Sequence, residues 1–443
     1  MPYLIPMLQN AGAIVFTPRE RDWQRNEIVI DNDDAVKSVY YFEKEASKRW
    51  KKCDSLGFAN RYRLKDGENP FRMGTVRQAK ATKRKKTSQV SYQPRFKEAG
   101  KYAVYVSYQS LPKSVSDAKY IVYHKGEATE FSVNQRMGGG TWVYLGTFDF
   151  DKGCNEFNRV VCTNKASRRG VVTTDAVRFG GGMGNIERGG YTSGLPRCLE
   201  GARYYAQWAG APYKVYGGRK GENDYADDIN TRALMTNWLG GGSVYMPAKN
   251  GKHVPIELSL ALHSDAGYNK DGKSTVGALA ICTTDYNDGI LNSGISRFTS
   301  KDFARALRDN LVTDLTAQFG EFGKRYLWDR NYSETRLPEV PSAILEMLSH
   351  QNFPDMRIAQ DPLGKFYIAR SIYKTILRFV NSNHGTRYVV QPLAPQNFSV
   401  TQNQALPYSH GLLSWTRRNH LPALLLTLFI RLRDKAVLTT EPS

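Results

Sequence analysis

The chain has 443 residues, a formal net charge of +20 and 41% hydrophobic residues. That length and apolar content support two or more cores and argue against a single domain, while five scattered cysteines, an odd number, exclude a disulfide framework or a zinc knuckle. So large a positive charge predicts attraction to polyanions, whether nucleic acid, an anionic glycan or a lipid surface.

In chain order, residues 1–8 read as the tail of a helix with Pro6 inside it. The densest basic run, residues 80–86, has no apolar periodicity and no interleaved aromatics, so it reads as a solvated linker and nucleic acid is not expected as a partner. Residues 101–108, 120–124, 141–146 and 171–179 then alternate with period two and are rich in aromatic and β-branched side chains. They predict a small antiparallel sandwich. Trp142 lies mid-run beside Leu145, where it either fills the sandwich core or offers a stacking face to a sugar. Cys154 and Cys162 are close enough in sequence to suggest pairing, and nothing requires it.

Residues 180–184 are a glycine-rich linker out of the sandwich rather than a phosphate loop. Asp224, Asp227 and Asp228 cluster at the start of a helix that carries Arg232 and Asn237, where carboxylates favour the positive dipole end. Ser300, Lys301 and Asp302 are expected to cap a helix whose apolar residues are Phe303, Ala306, Leu307, Leu311 and Leu315. A second helix is expected across Phe366 to Val380, ending near Asn383 and Gly385. The apolar run at 421–430 is too short to cross a bilayer and contains a proline, so no membrane span is expected.

Two apolar runs carry a candidate each: His263 near the end of residues 256–266, and Glu346, the lone acid within 343–350. Alternating with the helices, these runs predict a layered α/β domain. An imidazole and a carboxylate at strand ends suit a metal hydrolase, one as ligand and one as proton shuttle. A hydrogen-bonded structural histidine and a helix-capping acid account for the same spacing.

Residues 10–22, with Ala11-Gly12-Ala13 and Thr17-Pro18-Arg19-Glu20-Arg21-Asp22, resemble the entry segment of the zinc-dependent N-acetylmuramoyl-L-alanine amidases. The resemblance continues through Arg232 and Asn237, through Ser259 to Ala266 with Asp265 where Asn is usual, and through Glu346 to Asn352. It implies an amidase-type α/β fold, Zn2+ as cofactor, His263 as a zinc ligand and Glu346 as the general acid/base that cleaves the muramoyl-L-alanine amide of peptidoglycan. Arg232, Asn237, Asp265 and His350 are the implied substrate contacts, with a loop hydrogen bond an equal reading for His350. Two further zinc ligands of that family, in a Gly-His-Gly-Gly turn and on a following helix, have no counterpart here, so the chain is expected to be incomplete or to have lost zinc, and to hold the metal weakly or not at all.

Gly100-x-Tyr102-x-Val104-Tyr105-Val106, Gly138-Gly139-Gly140-Thr141-Trp142-Val143 and Thr174-Asp175-Ala176-Val177-Arg178-Phe179 resemble the β-domain of golvesin-type and xanthan-lyase-like proteins. Residues 395–401 and 413–416 resemble the opening strands of a fibronectin type III module. The expected organisation is an amidase-like α/β domain in two parts, 1–90 and 184–387, split by a sandwich insert at 91–183 and followed by an incomplete fibronectin-like tail at 388–443. The resemblances imply a peptidoglycan hydrolase that is extracellular or periplasmic. The alternatives are a non-catalytic glycan-binding protein and, last, a xanthan-lyase-like polysaccharide-degrading protein.

Overall fold

The computed structural model describes residues 2–34, 40–46 and 48–393, and the backbone of three short strands at 396–401, 412–416 and 428–431. The expected fibronectin-like tail therefore lies largely outside the described residues. The chain divides into two compact units, one of Met1–Phe16, Glu257–Arg336 and Val340–Ser443, the other of Thr17–Ile256 and Leu337–Glu339.

The first unit is built on a mixed sheet. Leu258–Asp265 runs parallel to Ser342–Ser349, which pairs antiparallel with Ala278–Cys282, itself parallel to the edge strand Lys324–Asp329. Period-two alternation sends Leu258, Leu260, Leu262, Ala278, Ala280, Ala343, Leu345 and Met347 to one face. That face shares a core with Phe303, Leu307, Leu311 and Leu315 of the helix Phe298–Phe319, and with Ile368, Ile372 and Ile376 of the helix Pro362–Asn383. The four-residue steps put each apolar set on one helical stripe. Ala261, Leu279, Ile281 and Ile344 form a smaller cluster, with Trp328 packed against it.

Helix ends explain two differences from expectation. Asp361 caps the helix Pro362–Asn383 by accepting from the Leu363 amide at 2.8 Å, with proline at the first helical position, where no N–H is missed. Ser300, in contrast, is not a cap: the helix begins at Phe298, and the buried Ser300 hydroxyl instead accepts from the Ser342 amide of the sheet at 3.1 Å. In the short helix Leu4–Asn10, Pro6 falls within the first turn, where its ring is tolerated.

The second unit contains the expected sandwich. A five-stranded antiparallel sheet runs in the order Glu127–Val133, Ala118–His124, Arg159–Thr163, Gln89–Tyr92, Tyr41–Lys44. A four-stranded sheet runs Val143–Phe150, Gly100–Val106, Ala176–Phe179, Ile28–Asp31. Tyr92, Tyr120, Val122 and Val160 of the first meet Tyr102, Val104, Val106 and Val177 of the second in one core. The sandwich reaches beyond 91–183 because Ile28–Asp31 and Tyr41–Lys44 each supply an edge strand, satisfying backbone groups that the inner strands would otherwise leave unpaired. The helices Ala202–Trp208 and Asp224–Gly240 also belong to this unit, not to the unit with the His263 strand. All five cysteines are free, so Cys154 and Cys162 are not paired, and burial pushes the Cys162 thiol up to about 12. No helix of the described residues is long and apolar enough to cross a membrane.

Two acids inside the sandwich unit give its stability a pH dependence. Asp31 and Asp175 are fully buried where the paired strands Ile28–Asp31 and Ala176–Phe179 begin and end. Burial pushes both carboxyls above the usual carboxylate range, and the Asp175 charge adds to the rise at Asp31. A raised folded value means stabilisation is complete below the ordinary Asp range, near 4, and is lost as pH rises through the raised values. Asp175→Asn keeps the side-chain oxygen that accepts from the Phe58 amide. The melting temperature of the unaltered protein is expected to fall between pH 5 and pH 9, and that fall should shrink in Asp175→Asn; an equal fall in both would show that this pair does not set it.

Candidate functional site

His263 and Glu346 are register partners on the parallel strands Leu258–Asp265 and Ser342–Ser349. By alternation both share a face with Ala261 and Ile344, the face opposite the helix-packed core. Nδ1 of His263 stands 3.5 Å from Oε1 of Glu346, and its Nε2 stands 3.1 Å from Oε2 of Glu334. Glu334 comes from the short helix Ser333–Arg336. That helix is tied to the sheet by the Thr335 hydroxyl, 2.7 Å from that of Thr283, and by the Ser342 hydroxyl donating to the Thr335 carbonyl at 3.1 Å.

The imidazole is one-third exposed, and the carboxylates are 7% exposed for Glu334 and 12% for Glu346. Burial alone would lower the His263 pKa; hydrogen bonding to Glu334 and then to Glu346 outweighs it and pushes the value up to about 9. With an acceptor at each ring nitrogen, the imidazole is a doubly protonated cation at neutral pH. Oε2 of Glu346 is buried and has no hydrogen-bond partner among the described residues. An unpartnered carboxylate oxygen beside a partly exposed imidazolium is a vacant proton acceptor.

Around this centre, Asp265 pairs with Arg325 at 2.6 Å, and its carbonyl accepts from the His350 amide at 2.9 Å. His350 is exposed, with Nδ1 3.2 Å from the Ser264 hydroxyl, which is the loop hydrogen bond. Arg232 and Asn237 lie in the other unit. There Arg232 pairs with Asp228 at 3.0 Å, while Asn237 donates to the Leu337 carbonyl at 2.8 Å and accepts from the Glu339 amide at 3.0 Å. The structure thus brings together His263 and Glu346, adds Glu334, and commits Arg232 and Asn237 to contacts within the sandwich unit.

Of its two sequence readings, Trp142 takes the buried one. It is only 6% exposed, and its ring lies 4.7 Å from Phe58, 5.1 Å from Phe71 and 5.9 Å from Trp208. No face is left for a sugar. Glu334 was missed because, with Asp329 and Glu339 in the same stretch between Trp328 and Val340, it carries no periodic or motif signal that sets it apart.

A zinc centre built from this chain needs three protein ligands. His263, Glu334 and Glu346 come together, yet among the described residues no group of three or more His, Cys, Asp or Glu side chains is arranged so that it could hold a metal ion. A ligand imidazole must also present a bare nitrogen, whereas both nitrogens of His263 face carboxylate oxygens. The residues therefore do not fit zinc as arranged.

Residues 66–181 match the Golvesin C-terminal domain family. A xanthan lyase from Bacillus sp. (strain GL1) is 34% identical over 97 residues, which is 21% of this chain and 10% of that protein. This chain therefore spans only a small part of that relative's length. Among solved structures, the N-acetylmuramyl-L-alanine amidase of Mycobacterium abscessus is similar at a TM-score of 0.24 and 16% identity, over 34% of this chain and 61% of that one. The C-terminal CBM6 of a laminarinase from Zobellia galactanivorans is similar at a TM-score of 0.22 and 14% identity, over 35% of this chain and 99% of that one.

Proposed function

We propose that this protein acts on cell-wall polysaccharide outside the cytoplasm: the golvesin-type sandwich unit binds glycan, and the α/β unit is of the N-acetylmuramoyl-L-alanine amidase type and hydrolyses the amide joining a muramoyl lactyl group to alanine. The observation that carries the catalytic part is the register pairing of His263 with Glu346, with Oε2 of Glu346 unpartnered. Glu346 takes a proton from the attacking water at Oε2 and returns it to the leaving amine, which breaks the C–N bond and leaves a lactyl carboxylate and a free alanine amino group. His263, held by Glu334, fixes the Glu346 carboxylate through Nδ1. The chain is incubated with purified peptidoglycan and new alanine amino termini are counted; none above a heat-treated control would end the catalytic reading.

A second reading, a non-catalytic glycan-binding protein, is favoured by the match of residues 66–181 to the Golvesin C-terminal domain family, which includes neither His263 nor Glu346. It predicts co-sedimentation with peptidoglycan and no new amino termini. For either reading, zinc measured by mass spectrometry of the purified chain is expected well below one ion per molecule. Stoichiometric zinc would mean that other residues complete a site around His263.

A further inference from the structure

The sandwich unit has an open cleft of about 660 Å³ lined by Trp23, Gln24, Arg25, Asn26, Glu98 and Lys101, together with Asp22. Trp23 is 72% exposed, an unusual position for the largest apolar side chain. Its segment is held from behind. Asp22 accepts from the Gln24 amide at 3.0 Å and from the Ala103 amide at 2.7 Å, and the Gln24 side chain accepts from the Asn26 amide at 3.0 Å. The Gln24 carbonyl accepts from Gly182 at 2.9 Å. Gly181 and Gly182 permit this approach, since a Cβ on Gly181 would stand 2.4 Å from the Asp22 carbonyl and Gly182 has φ +79°. The residues read from sequence as a linker thus anchor the cleft wall.

The polar groups at the mouth differ in their commitments. Asn26 reaches Glu98 at 3.4 Å, and Asp22 is occupied by backbone amides. Arg25 and Lys101 are exposed and have no ion-pair partner among the described residues. An aromatic face beside two unpaired cations, on a chain of net charge +20, complements a sugar ring that bears a carboxylate.

We propose that this cleft binds one acidic pyranose residue of an anionic polysaccharide. The ring's C–H face lies on Trp23, the carboxylate meets Arg25 and Lys101, and hydroxyls bond to Asn26 and Glu98. This names the glycan class for the binding half of the function proposed above and rests on that half. The site is separate from His263 and Glu346, so the two proposals can fail independently.

The full chain is titrated calorimetrically with oligogalacturonate and, in parallel, with a neutral maltooligosaccharide. Oligogalacturonate should bind and the neutral sugar should bind at least about tenfold more weakly. Trp23→Ala, whose exposed ring makes no core contribution, should weaken oligogalacturonate binding by about tenfold or more, the scale of losing an aromatic anchor. Arg25→Gln with Lys101→Gln should remove the preference for the acidic sugar and flatten its salt dependence. No binding, equal binding of the two sugars, or Trp23→Ala binding as tightly as the unaltered chain would overturn the proposal. So would binding of a single-stranded DNA oligonucleotide but not oligogalacturonate. Oligogalacturonate binding by an unaltered chain that cleaves no peptidoglycan would count against the amidase reading alone, and cleavage without that binding would count against this proposal alone.

Discussion

Glu346→Gln is expected to reduce release of alanine amino termini from peptidoglycan by about 10²–10⁴-fold, the usual worth of a positioned general acid/base. The amide is nearly isosteric with the carboxylate but cannot accept the proton of the attacking water at the position of the unpartnered Oε2. Glycan co-sedimentation should be unchanged, because the sandwich lies in the other unit. A purely structural Glu346 would predict instead a fall in thermal stability in step with activity. The His263 titration separates the two cases. Its pKa is raised above the ordinary value of 6.5, so the stabilisation from its carboxylates is complete below that value and is lost as pH rises through about 9. Either Glu346→Gln or Glu334→Gln should move the imidazole titration, read by NMR, downward. Only Glu346→Gln should show that full loss of cleavage. Equal loss in both variants would make Glu346 a positioning residue like Glu334.

The His263–Glu346 pair was legible because each residue interrupts an apolar run whose alternation fixes the face, leaving the pairing of the two strands as the one thing the sequence does not state. Glu334 was not legible, because it reaches the imidazole from a four-residue helix that no periodicity announces. The sandwich was legible in its long aromatic strands, such as Ala118–His124, and illegible at its edges. Ile28–Asp31 and Tyr41–Lys44 are four residues each and matter only through the partners they complete. Trp142 precedes its strand and turns into a cluster with Phe58, Phe71 and Trp208, three residues far apart in sequence. Trp23 was passed over for the opposite reason: an isolated aromatic in a polar run has no pattern, and only the cleft around it shows its use.

The segment Thr17–Asp22, read from sequence as the amidase entry, has a structural task that makes Glu20→Ala the most destabilising substitution expected in the sandwich unit. The Glu20 and Arg178 side chains are both fully buried and pair at 2.6 Å. Glu20 also accepts from the Tyr105 hydroxyl and from the amides of Arg21 at 2.9 Å and Asp22 at 3.0 Å. The Arg178 guanidinium lies 3.8 Å above the Tyr105 ring and donates to the Gly180 carbonyl at 3.1 Å, with Glu27 at 3.6 Å as a weaker second acid. Removing one partner of a buried pair leaves an uncompensated charge, which costs about 3–5 kcal/mol. Replacing both partners removes the charge itself, so Glu20→Ala with Arg178→Met should be less destabilised than Glu20→Ala alone, even though more contacts are lost. Urea denaturation followed by the near-ultraviolet aromatic signal would compare the three proteins. A Glu20→Ala cost within about 1 kcal/mol, the scale of an exposed pair, would show that Glu27 and the glycine carbonyls suffice to hold the guanidinium, and that the strand Ala176–Phe179 does not depend on the segment laid against it.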